Sequence, residues 1–294
     1  MAKPWRIILG FIGLGSLLVS SSHAFWYSAF ADRSSAITKS KPVISYKSRK
    51  LSHGTAHIVS IPAGQFRVTP ALSASTEPLE DFAKRDGAIA AINGGFFDPE
   101  NHQSTSFVVL NEQVIADPRQ NDRLMQNPTL SPYLDKILNR SEFRSYQCGD
   151  TIAYRIRQHQ DPIPAGCRSL SALGGGPRLL PDRTDQTEGF VDRTKGRDAL
   201  GSDQPNARTA IGLTHNGTII WVVVAQTPDV ANSGASLSEL AELMKGLGVE
   251  TAMNLDGGSS SALYYQGKTI YGKLDKTGNP IQRPVKSVFW VKAR

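Results

Sequence analysis

The sequence predicts an α+β protein, with a single domain built on a large mixed β-sheet and few helices. Short apolar or alternating segments recur along the chain, and turn-forming residues separate them. Only two segments have the apolar spacing of a helix. A chain with many strands and few helices buries its core by packing those helices against sheet.

The predicted strands are short segments rich in β-branched and aliphatic residues. They cover residues 56–61, 65–71, 88–92, 106–110, 209–213, 219–225, 251–255, 262–265 and 287–291. Asn216-Gly217 tolerates the positive φ angles of a tight turn, so it predicts a hairpin between the fifth and sixth of these strands. Gly267 marks a second predicted hairpin, which begins at the strand 262–265.

The clearer of the two predicted helices covers 237–247, where apolar residues recur on one face. Ser236 and Glu239 have the spacing of a capping box at its start. The other helix covers 78–85 and ends before Gly87. Each helix leads directly into an apolar strand, so two units of the same layout are predicted.

The N-terminus has the three-part layout of a signal peptide over residues 1–24. Lys3 and Arg6 precede the apolar segment 7–19, and small residues lead to Ala24, where cleavage is expected. A membrane anchor is the alternative, but the apolar segment is shorter than the roughly 20 residues that span a bilayer. We therefore expect a secreted or periplasmic protein without stable membrane insertion after cleavage.

Residues 25–50 are polar and basic and predict a flexible leader before a domain over 51–294, with regular structure beginning near Val43. The net charge of +7 is moderate. Basic clusters with interleaved aromatic residues are absent, so we expect no nucleic-acid partner. Cys148 and Cys167 predict one disulfide in an exported chain. The sequence does not indicate an oligomeric state.

Three glycine-rich segments, 93–98, 172–178 and 254–261, contain the candidate binding residues. Paired glycines let a backbone approach a ligand closely because no Cβ intervenes, although tight turns and loop-to-loop packing need the same residues. The two asparagines could bind sugar hydroxyls or tie their own loops together. The predicted substrate-binding residues in these segments are Asn93, Gly94, Gly95, Gly175, Gly176, Asn254, Gly257, Gly258 and Ser259.

These segments match, in order, the pattern of a known family. Residues 91–97, 175–177, 207–212, 254–260 and 283–285 together resemble the phosphodiester glycosidase family over 88–291. Motifs of phosphate-binding loops, serine hydrolases and zinc sites are absent from the sequence. The resemblance implies hydrolysis of a sugar-1-phosphodiester, such as that of an N-acetylglucosamine-like sugar, in envelope or exopolysaccharide material.

Within this interpretation the candidate catalytic residues are Asp256, Asp98 and Arg208. Asp256 would stabilise or attack the oxocarbenium-like carbon, and Asp98 is a second carboxylate with a turn cap as its alternative. Arg208 would bind the phosphate through its planar fork, with a surface ion pair as its alternative. Arg283 would contact substrate, with a surface ion pair as its alternative. A divalent cation bridging Asp256 to the phosphate is a further alternative.

One segment departs from the family pattern. Where the family commonly has Asp-Gly-Arg, this chain has Ala225-Gln226-Thr227. A non-catalytic polysaccharide-binding or exopolysaccharide assembly protein with the same fold is therefore the alternative function. A general phosphodiesterase, which would release a sugar phosphate, is a third.

Overall fold

Eighteen strands and four short α-helices follow one another along the part of the chain that a computed structural model describes, residues 43–228, 230 and 232–293. The predicted signal peptide and the leader up to residue 42 lie outside these residues. The strands are β1 Ser45–Leu51, β2 Gly54–Ile61, β3 Phe66–Glu77, β4 Ala90–Asn93, β5 Val108–Leu110, β6 Gln113–Ala116, β7 Ser141–Cys148, β8 Thr151–Gln158, β9 Cys167–Gly174, β10 Arg178–Leu180, β11 Val191–Asp192, β12 Arg197–Asp198, β13 Arg208–Thr214, β14 Ile219–Ala225, β15 Val249–Asn254, β16 Ala262–Tyr265, β17 Lys268–Tyr271 and β18 Val285–Ala293. The helices are α1 Leu79–Asp86, α2 Asp122–Met125, α3 Leu134–Ile137 and α4 Leu237–Gly246.

The strands form three larger sheets and one ribbon, and the paired strands are antiparallel. Sheet I has the order β1-β2-β14-β13-β15-β10, sheet II the order β17-β16-β4-β18-β3, and sheet III the order β6-β5-β9-β7-β8. Strands β11 and β12 form the ribbon. The predicted α+β class with few helices is confirmed, and the strands are divided among these sheets.

The nine predicted strands and both predicted helices are present. The domain begins earlier than the predicted boundary at residue 51, because β1 pairs with β2 along its whole length. Residues 45–50 of the predicted leader therefore belong to sheet I. The first strand of the described residues begins at Ser45.

The core lies between the three sheets, with two helices on their outer sides. Trp221 from sheet I, Phe289 from sheet II and Leu173 from sheet III belong to one buried cluster. Helix α4 packs its apolar face on sheet I, and α1 packs on sheet II. Burial of apolar area on both sides of sheets I and II is the main force that holds the strand ends in place.

Local signals in the sequence fix the helix ends. Ser236 accepts a hydrogen bond from the Glu239 backbone, and the Glu239 side chain accepts one in return from the Ser236 backbone, so the predicted capping box is present. Gly87 ends α1 with φ of 61°, a left-handed conformation that favours glycine. The chain therefore passes from α1 into β4, and from α4 into β15, at defined positions.

The predicted disulfide joins Cys148 at the end of β7 to Cys167 at the start of β9. The bond links two neighbouring strands of sheet III. Disulfides persist in oxidising compartments, so this bond is compatible with an extracellular protein. Within residues 43–228, 230 and 232–293, no helix has the length and apolarity needed to cross a membrane.

Candidate functional site

One strand from each sheet ends at the same place. Strand β4 of sheet II ends at Asn93, β9 of sheet III at Gly174, and β15 of sheet I at Asn254. We call residues 93–98, 174–177 and 254–260 the three-loop junction. The three glycine-rich segments predicted from the sequence are thus brought together by three different sheets.

Backbone hydrogen bonds join the segments of the three-loop junction. The Asp256 N–H donates to the Gly94 carbonyl at 3.0 Å, and the Gly176 N–H donates to the Asn254 carbonyl at 2.8 Å. The Asn254 N–H donates to the Pro177 carbonyl at 2.9 Å. The backbone around Asp256 is therefore held from both sides.

The glycines are required because the segments approach one another so closely. A Cβ at Gly95 would overlap the Gly174 carbonyl oxygen, and a Cβ at Gly175 would lie 2.7 Å from Met253 Cε and 2.9 Å from Asn254 O. A Cβ at Gly94 would lie 2.6 Å from Ser287 Oγ. These glycines serve loop-to-loop packing, the alternative to close approach by a ligand.

Asn93 ties the junction to its supporting strands. The residue is fully buried, and its amide nitrogen donates to the Asp256 carbonyl at 2.7 Å. Its amide oxygen accepts from Thr209 Oγ1 at 2.9 Å and from the Ala262 N–H at 3.0 Å. The Asn93 side chain thus bonds to other segments of the protein. This is the alternative to sugar binding that the sequence left open.

Asn254 is also buried, but its side chain is only half used. Its amide nitrogen donates to the Gly176 carbonyl at 2.9 Å. Its Oδ1 atom is buried without a hydrogen-bond partner among the described residues. A buried acceptor without a partner is costly, so this oxygen is a place where a water or a ligand hydroxyl would be stabilised.

Asp256 is the titratable group at the centre of the junction. Burial raises the pKa of its carboxyl to about 6, while the neighbouring Ser260 and the positive charge of Arg283 act in the opposite direction. The side chain is partly buried rather than sealed from solvent. A carboxyl with this pKa changes its protonation state close to neutral pH, as expected of a functional group.

Arg283 supplies a positive charge beside Asp256. Its Nη1 donates to Ser259 Oγ at 2.9 Å, and its guanidinium carbon lies 5.0 Å from the centre of the Phe97 ring. Among the described residues Arg283 forms no ion pair within 4.0 Å. The ion-pair alternative is therefore not what the structure shows, and the guanidinium is available to an anion.

Arg208 has a different role from the predicted phosphate contact. It is 3% exposed, and its guanidinium donates to four backbone carbonyls, those of Leu200, Gly201, Gln204 and Ala235. Burial lowers the pKa of this group to about 10. The guanidinium binds the segment 200–204 before β13 and Ala235 before α4, so the structure corrects the predicted phosphate role.

Asp98 caps a turn. Its Oδ1 accepts from the Glu100 N–H at 2.8 Å, and its Oδ2 accepts from Arg123 Nε at 2.9 Å. Burial alone would raise the pKa of Asp98, but these bonds outweigh it and hold the pKa below its usual value. Asp98 is thus ionised and engaged, which supports the turn-cap alternative rather than a proton donor.

Gly257 and Gly258 bring Asp256 close to the start of β13. The Gly258 N–H donates to the Ala207 carbonyl at 2.8 Å, and Gly258 has φ of 59°, which favours glycine. A Cβ at Gly257 would lie 3.1 Å from the same carbonyl. The turn therefore depends on both glycines.

Sequence reasoning missed Ser287 and Lys273. Ser287 Oγ accepts from the Gly95 N–H at 3.1 Å, and Lys273 Nζ donates to Asn206 Oδ1 at 2.9 Å, next to Gly258. Neither residue belongs to a motif: Ser287 is placed by the pairing of β18, and Lys273 by the segment that follows β17.

Gln226 and Thr227 of the departing segment line a cavity of about 270 Å³. The Gln226 amide donates to the Ser233 carbonyl at 2.9 Å and accepts from the Leu274 N–H at 3.0 Å. The Thr227 N–H donates to Ser233 Oγ at 3.1 Å. These hydrogen bonds fix the position of Gln226 and Thr227 in the cavity wall. Both residues are uncharged, so the acid and the arginine of the family's Asp-Gly-Arg are missing there.

The described residues contain no cluster of metal-binding side chains. Among residues 43–228, 230 and 232–293, no group of three or more His, Cys, Asp or Glu side chains is placed to hold a metal ion. Asp256 and Asp98 are the carboxylates of the junction, and Asp98 is already engaged by Arg123 and the Glu100 N–H.

Comparisons with known proteins give a family match and similar folds. The family model described as phosphodiester glycosidase matches residues 86–292. The catalytic domain of zebrafish N-acetylglucosamine-1-phosphodiester alpha-N-acetylglucosaminidase, auto-inhibited by its pro-peptide, is a similar structure with 19% identity and a TM-score of 0.66, covering 87% of this chain and 85% of that chain. A hypothetical protein from Synechocystis has 18% identity and a TM-score of 0.56, covering 87% and 64%. No curated protein matches the sequence significantly.

Proposed function

Because the chain belongs to the phosphodiester glycosidase family, we propose that it is an exported hydrolase that cleaves a sugar-1-phosphodiester. The products are the free sugar and a phosphomonoester. The observation that carries the proposal is that Asp256, whose pKa burial raises to about 6, lies at the three-loop junction beside the Arg283 guanidinium, which forms no ion pair among the described residues.

Asp256 acts on the sugar carbon in this proposal. Above its pKa of about 6 the carboxyl is ionised, and the carboxylate stabilises or attacks the positive C1 of the oxocarbenium-like transition state. Burial strengthens this interaction, because less water screens the two opposite charges. Water then supplies the oxygen that replaces the phosphate at C1.

Arg283 acts on the phosphate. Its free N–H groups match the geometry of two phosphate oxygens, and its contacts with Ser259 and Phe97 already restrict its position. The C1–O bond breaks with its electron pair on the phosphate oxygen. A phosphate ester is a good leaving group, so a second carboxylic acid is less necessary than in a glycosidase that releases a sugar alkoxide.

Envelope or exopolysaccharide material is the proposed source of the substrate, and the secreted or periplasmic space is the proposed location. The disulfide between Cys148 and Cys167 supports export. The proposed organisation has three parts. A signal peptide covers residues 1–24, a leader covers 25–44, and the catalytic domain follows.

The alternative is a non-catalytic polysaccharide-binding or assembly protein with the same fold. Its support is the segment 225–227, where the Gln226 amide is engaged by the protein and the charges of the family pattern are missing.

Product identification separates these functions. The protein is incubated with UDP-N-acetylglucosamine, and free N-acetylglucosamine with UDP is the expected result. N-acetylglucosamine 1-phosphate with UMP would identify a phosphodiesterase, and binding without turnover over a panel of sugar phosphodiesters would identify the binding protein. Asp182→Asn, on an exposed part of the surface, is the control for Asp256→Asn.

A further inference from the structure

A second arginine, Arg140, lies beside the three-loop junction. It is near Phe96, whereas Arg283 is near Phe97. The Arg140 guanidinium carbon lies 3.6 Å from the centre of the Phe190 ring and 6.0 Å from that of Phe96. Phe96 follows Gly95 directly, and Phe190 would lie 3.1 Å from a Cβ at Gly176. Arg140 is therefore adjacent to two of the three loops, while Arg283 lies over Phe97.

Arg140 forms no direct ion pair with its acidic neighbour Glu188, although the charge of that carboxylate attracts it. Its Nε donates to the Glu188 backbone carbonyl at 3.2 Å, not to the carboxylate. The Glu188 carboxylate accepts instead from the Ser141 N–H at 3.0 Å, the Ser141 hydroxyl at 2.7 Å, the Arg178 N–H at 3.0 Å and the Thr184 hydroxyl. The terminal nitrogens of Arg140 have no hydrogen-bond partner among the described residues, and the residue is partly exposed.

Arg197 adds a second unpaired charge. It lies on the β11–β12 ribbon, which begins directly after Phe190, and the Ala199 N–H donates to the Phe190 carbonyl at 2.9 Å. Burial lowers the pKa of Arg140, the Glu188 carboxylate opposes this, and the positive charge of Arg197 lowers the pKa further. Its guanidinium carbon lies 4.8 Å from the Tyr133 ring centre, and its Nε is buried without a partner. The nearby Asp192 carboxylate accepts from the Tyr133 hydroxyl at 2.8 Å and the Thr194 hydroxyl at 2.6 Å. Neither arginine forms an ion pair in the described part of the chain.

We propose that Arg140 and Arg197 form a second anion-binding subsite, which takes an anionic group of the substrate other than the scissile phosphodiester. Two like charges with free N–H groups in a partly buried region are destabilised until an anion binds to them. The aromatic rings beneath the guanidinium groups restrict their orientation, so little further ordering is needed on binding. This inference rests on the proposed function and defines its substrate class as sugar-1-phosphodiesters with a second phosphate or carboxylate.

A matched pair of substrates tests the subsite. N-acetylglucosamine 1-phosphate is esterified either to glycerol or to glycerol 3-phosphate, so that the two compounds differ only in one terminal phosphate. The wild-type protein should have a kcat/KM at least about tenfold higher for the doubly charged compound. Equal kcat/KM values for the two compounds in the wild-type protein would overturn the proposal, whether or not any variant folds.

The variants Arg140→Gln and Arg197→Gln should each remove most of this preference by raising KM for the doubly charged compound alone. Arg157→Gln, at an exposed position of β8, is the matched control and should leave the preference unchanged. A loss that is equal for both compounds in Arg140→Gln would indicate a structural role and contradict the subsite.

If neither compound is hydrolysed, the proposed function fails but the subsite is still tested by calorimetric binding of the same compounds. A preference for the doubly charged compound that Arg140→Gln abolishes would support the subsite. Equal affinities would overturn it.

Discussion

Replacement of Asp256 by asparagine should stabilise the protein at neutral pH while it abolishes turnover. Burial raises the pKa of Asp256 from 3.8 to about 6, so the folded protein binds this proton more tightly than the unfolded chain does. The stability that the proton confers is present below about pH 4 and is lost as the pH rises through about 6. The ionised side chain therefore destabilises the fold at pH 8.

The size of the effect follows from the shift. Each pKa unit corresponds to about 1.4 kcal/mol, so the shift from 3.8 to about 6 gives about 3 kcal/mol. Asparagine has nearly the same shape and no charge to desolvate. Asp256→Asn should thus raise the free energy of unfolding by up to about 3 kcal/mol at pH 8 and by little at pH 4.

Urea unfolding of both proteins at pH 4 and pH 8 measures this difference. Asp275→Asn is the control of opposite sign, because hydrogen bonds from Thr277 and Asn279 lower the pKa of Asp275. That variant should lose stability at pH 8 relative to pH 4. If Asp256→Asn is less stable than the wild type at pH 8, or if its gain is the same at both pH values, burial of a charged carboxylate at the junction is refuted.

Four further predictions concern the junction and its supports. Arg283→Gln should lower kcat/KM roughly 10- to 100-fold by loss of a charge-assisted contact, with partial recovery in Arg283→Lys, and an unchanged kcat/KM would contradict the phosphate contact. The wild-type kcat/KM should rise with pH through about 6 as Asp256 ionises, whereas a fall over that range would assign the active form to the protonated acid. Arg208→Gln should lower the free energy of unfolding by about 3 kcal/mol or more because four carbonyls lose their donor, and an unfolding curve like that of the wild type would contradict this. Gly95→Ala should cost about 2 kcal/mol or more in urea unfolding, whereas Gly246→Ala, where a Cβ meets no atom within 4 Å, should stabilise by about 0.5 to 1 kcal/mol, and equal effects would argue against close loop packing.

Most strands of sheets I and II could be predicted because their apolar residues follow the period of a strand with one or two buried faces, but β1 and β10 were not predicted. Sheet III was largely missed. Strand β7 is buried, yet it contains Glu142, Arg144 and Ser145, which sequence patterns assign to a surface. Their burial is explained by partners: Arg144 Nε donates to Glu142 at 2.7 Å, and the Ser145 and Ser171 hydroxyls lie 2.6 Å apart. Such pairing is invisible until the strands are placed.

The candidate site divides in a similar way. The glycine-rich segments that the sequence singled out lie together at the junction. The raised pKa of Asp256 agrees with its choice as a candidate catalytic carboxylate. The predicted role of Arg208 was wrong because the sequence does not show that the carbonyls of the segment 200–204 accept hydrogen bonds from its guanidinium. Arg140 stands in no motif, and its free N–H groups follow from the saturation of Glu188 by other donors. Contacts between distant segments decide these roles.

Hydrolysis in water enriched in oxygen-18 tests the central claim most directly. A sugar-1-phosphodiester is converted to completion, and the products are separated and weighed by mass spectrometry. Attack at the sugar carbon near Asp256 predicts that the label enters the released sugar at C1 and that the phosphomonoester carries none. Label in the phosphate would show cleavage of the P–O bond and would contradict a glycosidase centred on Asp256.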